Sequence, residues 1–386
     1  MKNVLLVFGG RSYEHDISVV TASQIFNKTK LDDVNLVPLY VSRTNHFFVY
    51  SNEKLILKDF AKKSDITKNK RFKEVVFVSG ENNKLFVKSL FGLKEYMMAE
   101  LAVFACHGSL GENGKLVAFL EQFGIFSSAG KFDSLAICMN KFLFKQTMKG
   151  LSVPVVKGFK ITSKELDCSK KKLELLLRLM KFPVVIKPNN GGSSIGMFVA
   201  ETMEDFYEKI KSAFEFDDEV LIEKYVSNTR EFNIAVMGNI DNFVVSEIDE
   251  PLKEHEILSF SDKYLAGGKK SGKLGGGLKN SMASQLRRLP ADIPEELRNK
   301  IQALAKKIFV SLGLTGIVRI DFLFDEQNGK LYVCEVNSIP GSLAFYFFKE
   351  NTILVNKLVE NLIDDAAFNK IKASMFKDEF STTVLE

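Results

Sequence analysis

The sequence predicts an α/β protein of more than one domain that opens on a parallel sheet. Three observations carry this expectation. Lys2–Phe8 is a short apolar run that stops at Gly9-Gly10, and a helical pattern and a second apolar run follow it. Strand, glycine turn, helix, strand is the opening of a parallel α/β sheet. From Asn140 the pattern changes, with strand candidates alternating with helices and a closing pair of strands joined at Asn328-Gly329. Finally, the chain has 386 residues, which at roughly 150 per domain means two or three domains.

In order along the chain, a helix is predicted over Ile17–Lys28 with Asp16 or Ser18 as N-cap, then a strand at Leu36–Val41. Phe47–Tyr50, Val75–Val78 and Lys84–Val87 read as short strands in a polar stretch, 44–95, that elaborates the first domain. Leu101–Ala105 is a buried strand ending at His107-Gly108, with a helix from about Gly114 to Phe123. Beyond a helix at Lys141–Lys149, strands are predicted at Lys157–Ile161, Val184–Lys187, Met197–Val199, Val220–Lys224, Phe232–Met237 and Phe243–Glu247. Helices near Lys170–Met180 and Met203–Phe214 are interleaved with them. Residues 262–281 are rich in Gly and Lys, cannot pack a core and read as a loop. A helix at Glu295–Leu312 and strands at Gly316–Phe324 and Lys330–Asn337 complete the reading. Boundaries are expected near 95 and near 140–150.

Composition excludes several classes. Hydrophobic residues make up 46% and charged residues 26%, a balance that forms cores rather than disorder. No run approaches the about 20 apolar residues that cross a bilayer, and the N-terminus lacks a signal-peptide pattern, so a cytoplasmic protein without membrane contact is expected. Four cysteines form no CxxC and no framework, consistent with reduced thiols. Net charge is +5, too small an excess to imply nucleic acid. The basic run 58–73 has no interleaved aromatic platform and reads as a solvated surface segment.

Three motif matches fail on context. Gly267 to Lys273 has P-loop spacing, but Leu274 stands where Ser or Thr must hold magnesium. Gly192-Ser193-Ser194-Ile195-Gly196 matches GxSxG, yet a second strand follows rather than a helix, so a hairpin tip is expected instead of a nucleophile elbow. Phe8-Gly9-Gly10 lacks dinucleotide spacing and its acidic partner.

Other constellations carry chemistry. In Gly316–Phe322, alternation puts Arg319 and Asp321 on one face, and in Tyr332–Asn337 it does the same for Glu335 and Asn337. A hairpin register with Asp321 opposite Glu335 sets Arg319 opposite Asn337. Two carboxylates and an amide suit magnesium, and the arginine suits an acyl phosphate or a tetrahedral oxyanion. The bland alternative is a solvated face with a cross-strand ion pair. The turn Ser338–Gly341 that follows could aim a backbone amide at an oxyanion. Pro183–Gly196 brings Lys187 to the end of a buried strand before a Gly/Ser tip able to wrap phosphate. Val220–Val226, read as an edge segment, could offer backbone groups to adenine, with Glu223 or Glu231 on ribose. Glu14-His15 and His107–Gly114 follow parallel strands, where open α/β sheets bind ligands.

Taken together, these residues resemble the D-alanine–D-alanine ligase family of the ATP-grasp superfamily, from Val4 to about residue 360. Phe8–Ser18 is similar to the family's opening signature, His107–Gly114 to its HGxxGEDG motif, and Leu314–Phe322 with Glu335–Gly341 to its C-terminal signature. The resemblance implies an N-terminal parallel α/β (pre-ATP-grasp) domain followed by a two-lobed ATP-grasp fold with antiparallel sheets. It implies a substrate-side domain at 1–139, a small lobe at 140–225, a large lobe at 226–362 with a lid loop at 260–281, and a tail at 363–386. It also implies ATP, two magnesium ions (with manganese as a substitute), D-alanine as substrate and a homodimer.

The same resemblance assigns roles. Lys141 and Lys187 would hold ATP phosphates. Glu223 and Glu231 would contact adenine and ribose, with backbone from Lys224, Tyr225 and Val226. Asp321, Glu335 and Asn337 would hold magnesium. Arg319 and the Gly341 amide would stabilise the oxyanion. Glu14 would bind the first substrate's ammonium, in a set with Ser193 and Tyr264. Lys263 would reach the γ-phosphate from the lid. His107, Ser342 and Tyr346 would meet substrate. The chain departs from the family at Asn113 and Asn140, where Asp is usual, and in the lengthened link Ser227–Arg230. It departs most at Ser342–Tyr346, which replaces a Ser/Thr-rich segment. That last departure keeps D-lactate or D-serine open as acceptors, and a non-catalytic nucleotide-binding protein is the rival from another class.

Overall fold

The computed structural model describes residues 1–62, 64–252, 287–348 and 355–375. Lys263, Tyr264 and the whole of the predicted lid, 260–281, lie outside the described residues.

The N-terminal part contains β1 (Lys2–Gly9), α1 (His15–Phe26), β2 (Val34–Val41), β3 (Phe47–Tyr50), β4 (Phe72–Val75), β5 (Lys84–Ser89), β6 (Gly92–Met98), β7 (Leu101–Phe104), α2 (Ser109–Glu112), α3 (Lys115–Glu121), β8 (Phe126–Ser127) and α4 (Phe132–Met139). Its six-stranded sheet runs β4-β3-β2-β1-β7-β8. The pairs β1/β2, β1/β7 and β7/β8 are parallel. β1 is apolar throughout because it lies in the middle of this sheet, with Val4–Phe8 fully buried.

The 44–95 stretch is partly built into that sheet. β3 and β4 extend it antiparallel, while β5 and β6 form a separate hairpin. Phe60 and Phe72 from this stretch pack edge-on against Tyr40, Phe72 also against Tyr50 and Phe60 against Phe8, so some of the abundant Phe residues have a structural place. Two sequence expectations need correction here. The strand predicted at Val75–Val78 ends at Val75. Helix α1 starts at His15, before both expected caps, and the Ser18 hydroxyl instead accepts the His107 N–H.

The next part contains α5 (Lys141–Gly150), β9 (Gly158–Thr162), α6 (Ser163–Cys168), α7 (Lys170–Met180), β10 (Val184–Pro188), β11 (Phe198–Ala200), α8 (Met203–Ala213) and β12 (Glu219–Lys224). Its sheet, β11-β10-β12-β9, is antiparallel. β12 therefore lies inside the sheet, and Val220–Lys224 is not the edge segment expected. Asn140 caps α5, its side chain accepting the Leu143 N–H at 2.9 Å. Asn thus does at this position what Asp would do as an N-cap.

The last part contains β13 (Thr229–Asn239), β14 (Asn242–Pro251), β15 (Arg287–Arg288), α9 (Glu295–Ser311), β16 (Gly316–Asp325), β17 (Lys330–Asn337), 3-10 turns over Gly341–Phe348, and α10 (Val355–Ser374). Its antiparallel sheet runs β15-β14-β13-β16-β17. Each of the three main sheets has its own apolar core. The chain after β17 returns to the first of these cores. Ile339, Leu343, Tyr346 and Phe347 pack there with Leu358, Val359, Leu362 and Ala366 of α10. Residue 362 lies inside α10, so no separate tail begins there. At roughly 1.5–3 kcal/mol per fully buried large apolar side chain, as an upper bound, this return packs the far end of the chain onto the domain that opens it.

Candidate active site

A cavity of about 560 Å³ lies between the β10/β12 sheet and the β16/β17 strands. Lys141, Lys187, Glu223, Glu231, Asp321 and Glu335 all line it, as do Lys224, Tyr225 and Val226. Six scattered stretches of sequence thus meet on one space large enough for a nucleotide.

On one wall, β10 buries Val184 and Ile186 and leaves Lys187 facing the cavity, the alternation of a one-sided strand. Lys187 and Lys145 both ion-pair with Glu223. Burial alone would raise the Glu223 carboxyl, but the charges of Lys187 and Lys145 outweigh it and hold the group at about 2. Burial likewise lowers Lys187, and the Glu223 charge overrides that and raises it. Lys141 is lowered by burial, and its ammonium donates to the Gly191 carbonyl. After β10 the chain enters a tip in which Ser193 and Ser194 take φ values of 54° and 59°. β11 then returns antiparallel to β10, so the GxSxG match is a hairpin tip, as its context predicted.

On the opposite wall, β16 and β17 pair with Arg319 opposite Asn337 and Asp321 opposite Glu335, the register expected from alternation. The Arg319 guanidinium is buried and donates Nε–H to Asp321 Oδ1 and Nη2–H to Oδ2, both at 2.7 Å. Asn337 Nδ2 donates to Asp321 Oδ2 at 3.1 Å. Burial would lower Arg319, but the Asp321 charge raises it well above its usual value. The donor set Asp321, Glu335 and Asn337 consists of hard oxygens, two of them paired across one ladder at the cavity wall. It fits an ion that takes few protein ligands and completes its shell with water and phosphate. Among the described residues no group of three or more His, Cys, Asp or Glu could hold a metal. An ion here therefore depends on the Asn337 amide and on ligands that a substrate brings.

A smaller space joins the cavity to the N-terminal domain, lined by Glu112, Gly192, Glu335, Asn337 and Ser338 among others. Beside it the Ser193 hydroxyl donates to Glu14 Oε1, so two of the three members of the set expected to close the site are in contact. Glu14 is buried, and its backbone N–H donates to Ser12 Oγ at 3.0 Å. Glu112 accepts the Gly108 N–H at 2.8 Å. Burial, and then the nearby Glu14 charge, push the Glu112 carboxyl well above the usual range. Gly108 has a φ of 78°, and a Cβ there would stand 1.9 Å from Ser12 Oγ and 3.0 Å from Glu14 Oε2.

The structure revises three expected substrate contacts. His107 is buried, with both ring nitrogens bonded to protein groups, Ile339 O at 2.7 Å and Thr21 Oγ1 at 2.8 Å. Burial, helped by the Arg319 charge, lowers it to about 4. The Ser342 hydroxyl donates to Gln24 Oε1 at 2.8 Å. Tyr346 is buried with the Arg287 guanidinium 4.4 Å from its ring centre. None of the three is among the residues that line the two spaces described above.

Other groups escaped the sequence reading. Lys145 follows Lys141 at helical i,i+4 spacing, a legible signal. Asn233 follows Glu231 at strand spacing and lies opposite Asp321. Its amide nitrogen, when oriented by its partners, donates to Asp321 Oδ1 at 3.1 Å. Thr21 and Gln24 carried no signal, because they sit on the inner face of an ordinary helix.

Two sheets closing on a polar cavity, with lysines on one wall and Asp321 and Glu335 on the other, have the two-lobed arrangement of the ATP-grasp fold. The comparisons give the family. The D-ala D-ala ligase N-terminus profile matches residues 3–127, and the D-ala D-ala ligase C-terminus profile matches 147–364. A D-alanine--D-alanine ligase of Thermosipho melanesiensis is 34% identical over 365 residues, covering 94% of this chain and 93% of that protein. One from Campylobacter jejuni is 30% identical, covering 92% of each. Among solved structures, the VanG D-Ala:D-Ser ligase from Enterococcus faecalis superposes with a TM-score of 0.75 at 25% identity, over 95% of this chain and 99% of that one. The D-alanine-D-alanine ligase from Coxiella burnetii gives 0.78 at 21% identity, over 97% and 96%. This chain belongs to the D-alanine–D-alanine ligase family.

Proposed function

We propose that the protein uses ATP to join two molecules of D-alanine into D-alanyl-D-alanine, a peptidoglycan precursor, through an acyl phosphate. The observation that carries this reading is the meeting of Lys141 and Lys187 with Asp321 and Glu335 around one cavity. Lys141 and Lys187 hold the phosphates by charge, Glu223 and the backbone from Lys224 to Val226 take the adenine, and Glu231 takes the ribose. Glu14, oriented by Ser193, binds the ammonium of the first D-alanine. The carboxylate oxygen of that first D-alanine attacks the γ-phosphorus, and ADP leaves. The amine of the second D-alanine then attacks the carbonyl carbon, losing a proton. The tetrahedral intermediate collapses by expelling phosphate. Arg319 and the Gly341 N–H face the oxyanion, an arrangement that typically carries a large share of such catalysis. Asp321, Glu335 and Asn337 would hold two magnesium ions, which supply charge neutralisation on the transferring phosphoryl group. Lys263 and Tyr264 belong to the same reading as lid residues. A homodimer working in the cytoplasm completes it. Among the described residues no helix is long and apolar enough to cross a membrane.

The test is phosphate release from ATP and magnesium with D-alanine alone, then with D-serine or D-lactate added, with products identified by mass. D-alanyl-D-alanine is the expected product. Turnover only with a mixed pair would move the acceptor specificity, and absence of turnover despite ATP binding would sink the enzymatic reading.

A further inference from the structure

The turn after β17 belongs to the catalytic lobe, yet its hydrogen bonds run to the N-terminal domain. The Ile339 carbonyl lies 2.7 Å from His107 Nδ1. A carbonyl only accepts, so the ring proton is on Nδ1, and Nε2 is an acceptor. Thr21 Oγ1–H donates to that Nε2 at 2.8 Å. The same oxygen accepts the Ser342 N–H at 3.2 Å. The Ser342 hydroxyl reaches Gln24, and the His107 N–H is fixed on Ser18 Oγ at 2.7 Å. Thr21 is 1% exposed, Ser342 3% and His107 4%, so solvent does not compete for these bonds.

Two features make the relay more than packing. Only Pro340 and Gly341 separate the anchored Ile339 carbonyl from the anchored Ser342 amide. Proline has no N–H, so the Gly341 N–H is the one backbone donor between the anchors. In addition, Ser342, Leu343 and Ala344 have φ values of 54°, 48° and 46°. Three successive L-residues in the left-handed region persist only where surrounding contacts over-determine them. Both polar groups of Ser342 that could do so, its N–H and its hydroxyl, are held by α1.

We propose that Thr21 is a positioning residue for the ligation step: by linking His107 to the Ser342 amide, it fixes the turn that presents the Gly341 N–H to the tetrahedral oxyanion. The inference rests on the oxyanion role given to Gly341 and Arg319 above. The position needs a hydroxyl that donates and accepts at once. Serine meets that requirement. Valine, of the same shape, leaves a buried ring nitrogen and a buried amide both unsatisfied.

The experiment compares Thr21→Val, Thr21→Ser and Gln24→Leu in the full-length enzyme, with ATP affinity by calorimetry, ligation kinetics and the His107 ring nitrogens by NMR. In Thr21→Val, kcat for ligation is expected to fall by roughly tenfold to a hundredfold, the range for orphaned buried hydrogen-bonding groups. ATP affinity should stay within about twofold, and the Nε2 resonance should shift as its donor is lost. Thr21→Ser should restore kcat to within about threefold. Gln24→Leu, which removes only the hydroxyl anchor, should lose roughly threefold to tenfold and serves if Thr21→Val does not fold. Wild-type kcat in Thr21→Val or, if that variant does not fold, in Gln24→Leu overturns the proposal, as does failure of serine to rescue. Ligation that survives in Arg319→Ala would instead remove the oxyanion reading on which the relay depends.

Discussion

Replacing Arg319 with lysine keeps the charge and removes the fork, which separates two roles of this side chain. The guanidinium makes two parallel bonds of 2.7 Å to Asp321, whose side chain is 18% exposed. A lysine ammonium can keep one. One lost charge-assisted hydrogen bond costs about 1.5–3 kcal/mol when fully buried, and about 1–2 kcal/mol after allowance for the partial exposure of Asp321. Stability alone therefore predicts a drop of a few degrees in the melting midpoint. Loss of an oxyanion donor is larger, about 3–4 kcal/mol of transition-state stabilisation, or roughly a hundredfold to a thousandfold in kcat. The cavity wall here is formed by Asp321 and Glu335, so ATP affinity should change by less than about threefold, since no buried phosphate contact is lost. Calorimetric ATP titration beside product formation measured by mass separates the two effects. An Arg319→Lys enzyme that melts lower but ligates at the wild-type rate would show that the guanidinium only holds Asp321, and the oxyanion assignment would fall.

Three further outcomes are expected. Lys145→Met removes one of the two cations on buried Glu223, so Lys187 must neutralise that carboxylate alone. Stability should fall by about 1–3 kcal/mol, and KM for ATP should rise roughly tenfold, read from urea unfolding and initial rates. An unchanged KM would separate the lysine–glutamate cluster from nucleotide binding. Gly108→Ala forces a left-handed L-residue into contact with Ser12 and Glu14, so KM for the first D-alanine should rise far more than KM for ATP. Equal changes in both would count against the Glu14 assignment. His107 is depressed from 6.5 to about 4, so in that window the native state binds fewer protons than the unfolded chain. Its contribution is complete above pH 6.5 and is lost as pH falls towards 4, at up to about 1.4 kcal/mol per pH unit. Urea midpoints against pH should show that slope in the native protein and a shallower one in His107→Gln; identical slopes would mean that His107 titrates normally.

The sequence by itself determined the local parts. Alternation in Gly316–Phe322 and Tyr332–Asn337 put Arg319, Asp321, Glu335 and Asn337 on faces that could meet, and the register is the one the pattern required. Lys187 before its Gly/Ser tip was legible too, because a strand of period two that ends in a charged residue before Pro and Gly admits few other readings. What the sequence could not decide was pairing between distant elements. Val220–Lys224 has the same apolar pattern in the middle of a sheet as at its edge, and only the pairing of β12 with both β10 and β9 shows which it is. The roles of His107 and Ser342 turned on the same limit. Both sit in motifs that read as substrate contacts, but their polar atoms are taken by Ile339, Thr21 and Gln24. Thr21 and Ser342 are 321 residues apart in the chain. A hydrogen bond of that span is created by packing α1 against the turn after β17, and no periodicity within either segment records it, because local pattern reports which face is buried and not what is buried against it.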